Sequence, residues 1–160
     1  MRAVGATSVP NGAWVLPASN EHNRLFGQLA ETVRAQGGHA TVMIARAAEG
    51  DATIVTHFQA DRAREYAELR ERFQGFLDEI EKERAAGKFT FAELEELEDD
   101  YEKLAAWNAK ILARDFFPDE EGEAAESTLN RCAVARDAFA QAVYAREGLQ
   151  SADEPTDLAL

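Results

Sequence analysis

The sequence predicts an α+β protein: a small β-β-α-β lobe, then a long antiparallel helical hairpin and a closing C-terminal helix. Three observations carry that prediction. An Asn11-Gly12 pair stands between two short apolar runs near the start, which is the signature of a tight hairpin. Apolar residues from Tyr66 onward recur at helical spacing. Gly87 and a capping signal at Thr90 then cut this helical region in two.

Taken in order, Ala6 to Val9 and Ala13 to Leu16 are the hairpin strands, joined by Pro10-Asn11-Gly12 in a type I′ turn. Ser19 is placed to cap a helix that carries Leu25, Phe26, Leu29 and Val33 on one face and stops at Gly37-Gly38. Residues 39–45 alternate loosely around Val42 and Ile44, a β-branched run that predicts a buried strand. Asp51 caps the next helix, with Ile54, Val55 and Phe58 apolar. Its stripe continues as Tyr66, Leu69, Phe73, Phe76 and Ile80, spaced 3, 4, 3, 4.

Thr90-Phe91-Ala92-Glu93 is a capping box, flanked by Phe89 and Leu94 as a hydrophobic staple. The second stripe is Leu94, Leu97, Tyr101, Leu104, Asn108 and Ile111. Two amphipathic helices joined by so short a turn must run antiparallel. Phe116-Phe117-Pro118 ends that helix. A last one carries Leu129, Cys132, Phe139 and Val143 as far as Gly148. The predicted organisation is a lobe at 1–59, hairpin plus closing helix at 60–148, and a disordered tail at 149–160 around Pro155.

The net charge of −13 is unevenly distributed. Residues 1–75 hold eight cations and eight anions. Residues 76–128 hold six and seventeen, and the remainder three and five. A neutral first half can present a local basic face that an evenly acidic chain could not. Pro10, Asn11, Pro17 and Asn20 break every early apolar run, which excludes a signal peptide. No stretch reaches the roughly 18 apolar residues that span a bilayer. A single cysteine, Cys132, excludes an intrachain disulfide and fits a cytoplasmic protein.

Catalytic motifs are missing: there is no nucleophile elbow, P-loop or dinucleotide fingerprint. His22, His39 and His57 stand too far apart to share a helix face, and none follows an acid at the Glu-x-x-His spacing, so neither metal nor cofactor is expected. The carboxylates from Glu93 to Glu102 read as the solvated face of a helix whose inner face is Leu94, Leu97, Tyr101 and Leu104. Cys132 reads as a small core residue. Arginines carry the remaining chemistry: Arg62, Arg64, Arg70 and Arg72 in the neutral half, and Arg131 and Arg136 on the last helix. Guanidinium groups hold oxyanions and DNA phosphates through bidentate bonds. The plainer reading pairs them with neighbouring acids, such as Glu68 with Arg64 and Arg72.

The segment Ala85-Ala86-Gly87-Lys88-Phe89-Thr90-Phe91-Ala92-Glu93-Leu94, with Lys103-Leu104-Ala105-Ala106-Trp107 and Ala113-Arg114-Asp115-Phe116-Phe117, resembles the N-terminal domain of the chromate-resistance regulator ChrB. Gly12-Ala13-Trp14-Val15-Leu16-Pro17 and Gly37-Gly38 match the same pattern, and the resemblance extends from about residue 2 to about residue 147. It implies a bacterial transcriptional regulator or accessory factor of chromate resistance whose first lobe is ferredoxin-like; that the chain is no enzyme is expected from the missing catalytic motifs. DNA, chromate or another oxyanion, and a second copy of the chain are the partners it implies, with no membrane. Trp107, Arg114, Asp115, Phe116 and Phe117 are signature positions expected to be structural. Pro118 replaces the family's usual glycine.

The resemblance also implies a strand and a helix ahead of the hairpin, with Met1 to Gly5 matching the end of that helix. An edge between the hairpin and the strand at residues 39–45 would then stand open to self-association. The alternative to DNA binding is a protein–protein module built on the helical hairpin.

Overall fold

The computed structural model describes residues 1–9 and 12–148. Pro10 and Asn11 of the predicted turn, and the predicted tail at 149–160, lie outside the described residues. By packing, the chain divides into two units, Met1–Glu65 with Ile111–Asp119, and Tyr66–Lys110 with Glu120–Leu160. The architecture is α+β, four α-helices and one two-stranded antiparallel sheet among the described residues.

In the first unit a 3-10 turn, Arg2–Val4, ends at Gly5, whose φ of 80° lets its amide bond back to Arg2 O. Strands β1 (Thr7–Val9) and β2 (Ala13–Val15) pair with Thr7 opposite Val15 and Val9 opposite Ala13. Helix α1 (Asn20–Ala35) starts at Ser19, whose side chain accepts from the His22 amide at 3.0 Å, the expected cap. It stops where Gly38 N donates to Val33 O at 2.9 Å. Ala30 is buried on its inner face, Leu25, Phe26 and Val33 are half-buried, and Leu29 is exposed.

The strand expected at residues 39–45 does not form. Residues 39–47 have no regular structure, and Val42, Met43 and Ile44 are exposed. β-propensity expresses fit to neighbours in a sheet, and the two-stranded sheet supplies no neighbour here. The lobe is therefore β-β-α rather than β-β-α-β.

Helix α2 (Ala52–Ala86) opens with Val55 N donating to the Asp51 carbonyl at 2.9 Å, so Asp51 contributes its backbone to the first turn. Phe58 and Arg62, one turn apart, are both buried in the first unit with Ala6, Thr7 and Ile111.

The second unit takes the rest of α2, most of α3 (Phe91–Leu112) and α4 (Glu120–Arg146). The expected stripe is its core: Tyr66, Leu69, Phe73, Phe76, Ile80, Leu94, Leu97 and Leu104, with Ala125, Cys132, Phe139 and Val143 from α4. Contacts fix the directions. Phe76 meets Tyr101 at 6.3 Å between ring centroids, which sets α3 antiparallel to α2. Cys132 Sγ donates to Phe73 O and Arg146 to Gly87 O, both 59 residues apart, so α4 runs parallel to α2. Phe91 against Tyr144 and Arg136 over Tyr101 set α4 antiparallel to α3. The unit is a three-helix up-down-up bundle.

At the turn, Gly87 has φ 67°, and the Glu93 amide donates to Thr90 Oγ1 at 3.3 Å. Phe89 packs on Phe139 at 5.4 Å. Among the described residues, no helix is long and apolar enough to cross a membrane.

Candidate functional site

The first unit has one charged cluster built across distant parts of the chain. Arg62 and Glu65 are a helical turn apart on α2, and Arg114 follows the end of α3. Glu65 divides its carboxylate between them: Arg62 NH2 donates to Oε1 at 3.0 Å and Arg114 NH2 to Oε2 at 2.7 Å. Arg62 NH1 also donates to the Arg114 carbonyl at 3.2 Å. Arg62 is 5% exposed, and the Nε atoms of both arginines are buried without a hydrogen-bond partner. Beside them, Thr7 Oγ1 donates to Asp61 at 2.7 Å, and Asp61 also pairs with Arg64. One carboxylate thus holds two guanidinium groups, and the hairpin is tied to α2.

The aromatic signature closes around this cluster. Phe116 packs edge-on against His22 at 5.1 Å and against Phe58 at 6.1 Å, and Phe117 lies 5.2 Å from Phe58. His22 Nδ1 lies 2.7 Å from Pro17 O, which fixes that nitrogen as the donor. Gln59 reaches Phe117 O at 3.4 Å. Gly5 packs directly on the segment: a Cβ there would stand 2.7 Å from Arg114 Cβ and 2.8 Å from Phe116 Cε2. Trp107, on α3, is half-buried, as is Asp115, which also has a bonding partner.

The other candidate arginines are dispersed. Arg64 is exposed and pairs with Asp61, one turn before it, where the sequence suggested Glu68. Arg70 is half-buried and paired with Glu121. Arg136 lies 4.2 Å over the Tyr101 ring and bonds Asp137. Arg72 and Arg131 are exposed and form no ion pair among the described residues. Sequence reasoning passed over Arg2, Arg24, Arg34 and Arg46, exposed and without an acidic partner among the described residues. The signal for them was present, since all four belong to the neutral half.

Burial pushes the Cys132 thiol up, with the Arg131 charge acting weakly the other way, so the thiolate form is disfavoured. Among the described residues no three His, Cys, Asp or Glu side chains gather as a metal would need.

Fold and cluster together define an α+β protein in which a shared carboxylate and two arginines hold the small lobe together. The family model described as "Protein ChrB, N-terminal" matches residues 1–150, and the chain belongs to that family. No curated protein and no solved structure matches it.

Proposed function

We propose that this chain is a non-enzymatic, cytoplasmic regulatory module of bacterial chromate resistance, acting on transcription through DNA. The observation that carries the reading is the family match over residues 1–150. The charge distribution supports the DNA part. The first unit holds seven cations and eight anions, the second ten and twenty-two, so phosphates are repelled by the bundle and tolerated at the lobe. The exposed arginines of the lobe, Arg24, Arg34, Arg46 and Arg64, are the phosphate contacts in this reading, with Arg72 and Arg131 as the free cations of the bundle.

Arg62 serves as an internal strut, since a residue 5% exposed cannot reach a phosphate. Chromate or another oxyanion is the effector. The ferredoxin-like character of the lobe belongs to the same reading; its β-hairpin and following helix support it.

The test is a mobility shift on DNA upstream of a neighbouring transporter gene, with and without chromate. Arg24→Ala, Arg34→Ala and Arg64→Ala should each weaken binding across sequences and lower its salt slope by roughly 1. Binding untouched by all three, but lost in Arg72→Ala with Arg131→Ala, would move the contact to the bundle. A second reading, a protein-binding hairpin without DNA contact, is favoured by the exposed Phe91 on α3, with Tyr144 and Val134 also exposed on α4. Absence of any DNA shift would leave it standing alone.

A further inference from the structure

Between α1 and α2 the chain carries an apolar, strand-forming stretch that its own fold leaves uncovered. Met43 is 78% exposed and Ile44 76%. Thr41, Val42 and Ile44 are β-branched, the side chains that pack best on a pleated sheet. Among the described residues no backbone hydrogen bond joins residues 39–47 to any element. The contact made to the stretch is from a side chain, with Arg34 Nε donating to Ala40 O at 3.4 Å. A run with free N–H and C=O groups and apolar side chains is a template for another strand.

We infer that residues 41–45 form a dimer interface, pairing antiparallel with the same stretch of a second copy about a twofold axis near Met43. An antiparallel pair of identical strands is isologous, so one segment supplies both halves of the interface. Val42 and Ile44 then share one face of the ribbon, and Thr41, Met43 and Ala45 the other. Charge selects where two copies can meet. The second unit, counted through Leu160, carries twelve more anions than cations, and two copies of it repel. The lobe carries one more anion than cations, and residues 39–48 contain no acid. This stretch, among the described residues, therefore offers a copy of the chain an apolar surface without acids whose backbone amides bond to no other element. The lobe also exposes Trp14 and Leu29, which adds to its apolar surface.

Light scattering on the full chain across a wide concentration range tests the inference. The expected mass is twice 17.6 kDa at high concentration, falling toward 17.6 kDa on dilution. Met43→Pro removes an amide donor that makes no bond within one chain, so it should leave the circular dichroism unchanged while abolishing the dimer. Ile44→Asp, which sets like charges across the axis, should do the same. Met43→Cys should give a disulfide-linked dimer under oxidised glutathione, since the native Cys132 is buried and does not compete. A mass of 17.6 kDa at every concentration overturns the inference. So does a dimer that survives Met43→Pro, or exchange protection of amides 41–45 in the monomer, which would mean the stretch is covered from within.

Discussion

Gly5 and Glu65 are small parts of the lobe whose neighbours make them hard to replace. At Gly5 the backbone is left-handed and the space beyond Cα is already filled by Arg114 and Phe116. Left-handed φ costs an L-residue about 1–2 kcal/mol. Forcing a methyl into a packed site costs about 1–3 kcal/mol more. Gly5→Ala should therefore destabilise the protein by about 2–5 kcal/mol in a denaturant titration, and an unchanged midpoint would place the Arg114–Phe116 segment elsewhere.

At Glu65 the argument is electrostatic. Its loss leaves Arg62 buried with no counter-charge, a situation that costs about 3–5 kcal/mol in a dry site. Glu65 is about a quarter exposed, at 26%, so the low end, about 3 kcal/mol, applies to Glu65→Ala. Removing charge and counter-charge together, as Arg62→Met with Glu65→Leu, should cost less than Glu65→Ala alone, because no stranded cation remains. Equal costs for the two variants would show that the pair is held by packing instead.

At the scale of the element, the helices were legible in the sequence because their causes are local. Ser19 and Thr90 cap helices by bonding amides three residues away, and the 3, 4, 3, 4 stripe buries itself on any partner. That residues 39–45 form no strand was not legible, because a β-branched run becomes a strand only beside a neighbour supplied from elsewhere in the chain. The Arg62–Arg114 contact spans 52 positions, so sequence could mark both arginines as notable without placing them together. The resemblance fixed Arg114, Phe116 and Phe117 as signature positions; the structure supplies the reason, which is closure of the lobe on α2.

The hairpin junction adds a pH dependence. Glu83, 2% exposed, faces Lys88 at 3.0 Å, and that hydrogen-bonded charge holds its carboxyl below the ordinary 4.5. Its partners gain in the same sense: Lys88 is raised by Glu83, and Lys82 chiefly by Glu79, with Glu83 helping. A depressed carboxylate stabilises the fold fully above its unfolded pKa, and that contribution is lost as pH falls through the folded value. Thermal stability should thus fall as pH drops below about 4.5, and Glu83→Gln with Lys88→Met should flatten that limb. The same acid limb in both proteins would assign it to other carboxylates.

At the scale of the whole molecule, the uneven charge makes a prediction about salt. The second unit carries ten cations and twenty-two anions, and its ion pairs (Arg70–Glu121, Lys82–Glu79, Lys88–Glu83, Lys103–Asp100 and Arg136–Asp137) neutralise only part of that. Ion pairs that reach the solvent weaken as salt is added. Repulsion among the unpaired carboxylates weakens as well, and over longer distances, since the screening length shrinks from about 10 Å at 0.1 M to about 3 Å at 1 M.

The excess of twelve anions decides between them: relief of repulsion outweighs loss of the pairs. Sodium chloride should therefore raise Tm, by about 2–4 °C for each kcal/mol of repulsion removed. Chloride is the salt to use, because sulfate stabilises folded proteins by exclusion from their surface whatever their charge. DNA binding should move the opposite way in the same series, since phosphate contacts lose affinity as salt rises. A Tm that falls with sodium chloride would mean that the ion pairs, led by the buried Glu83 at the turn, govern the bundle in spite of its excess charge.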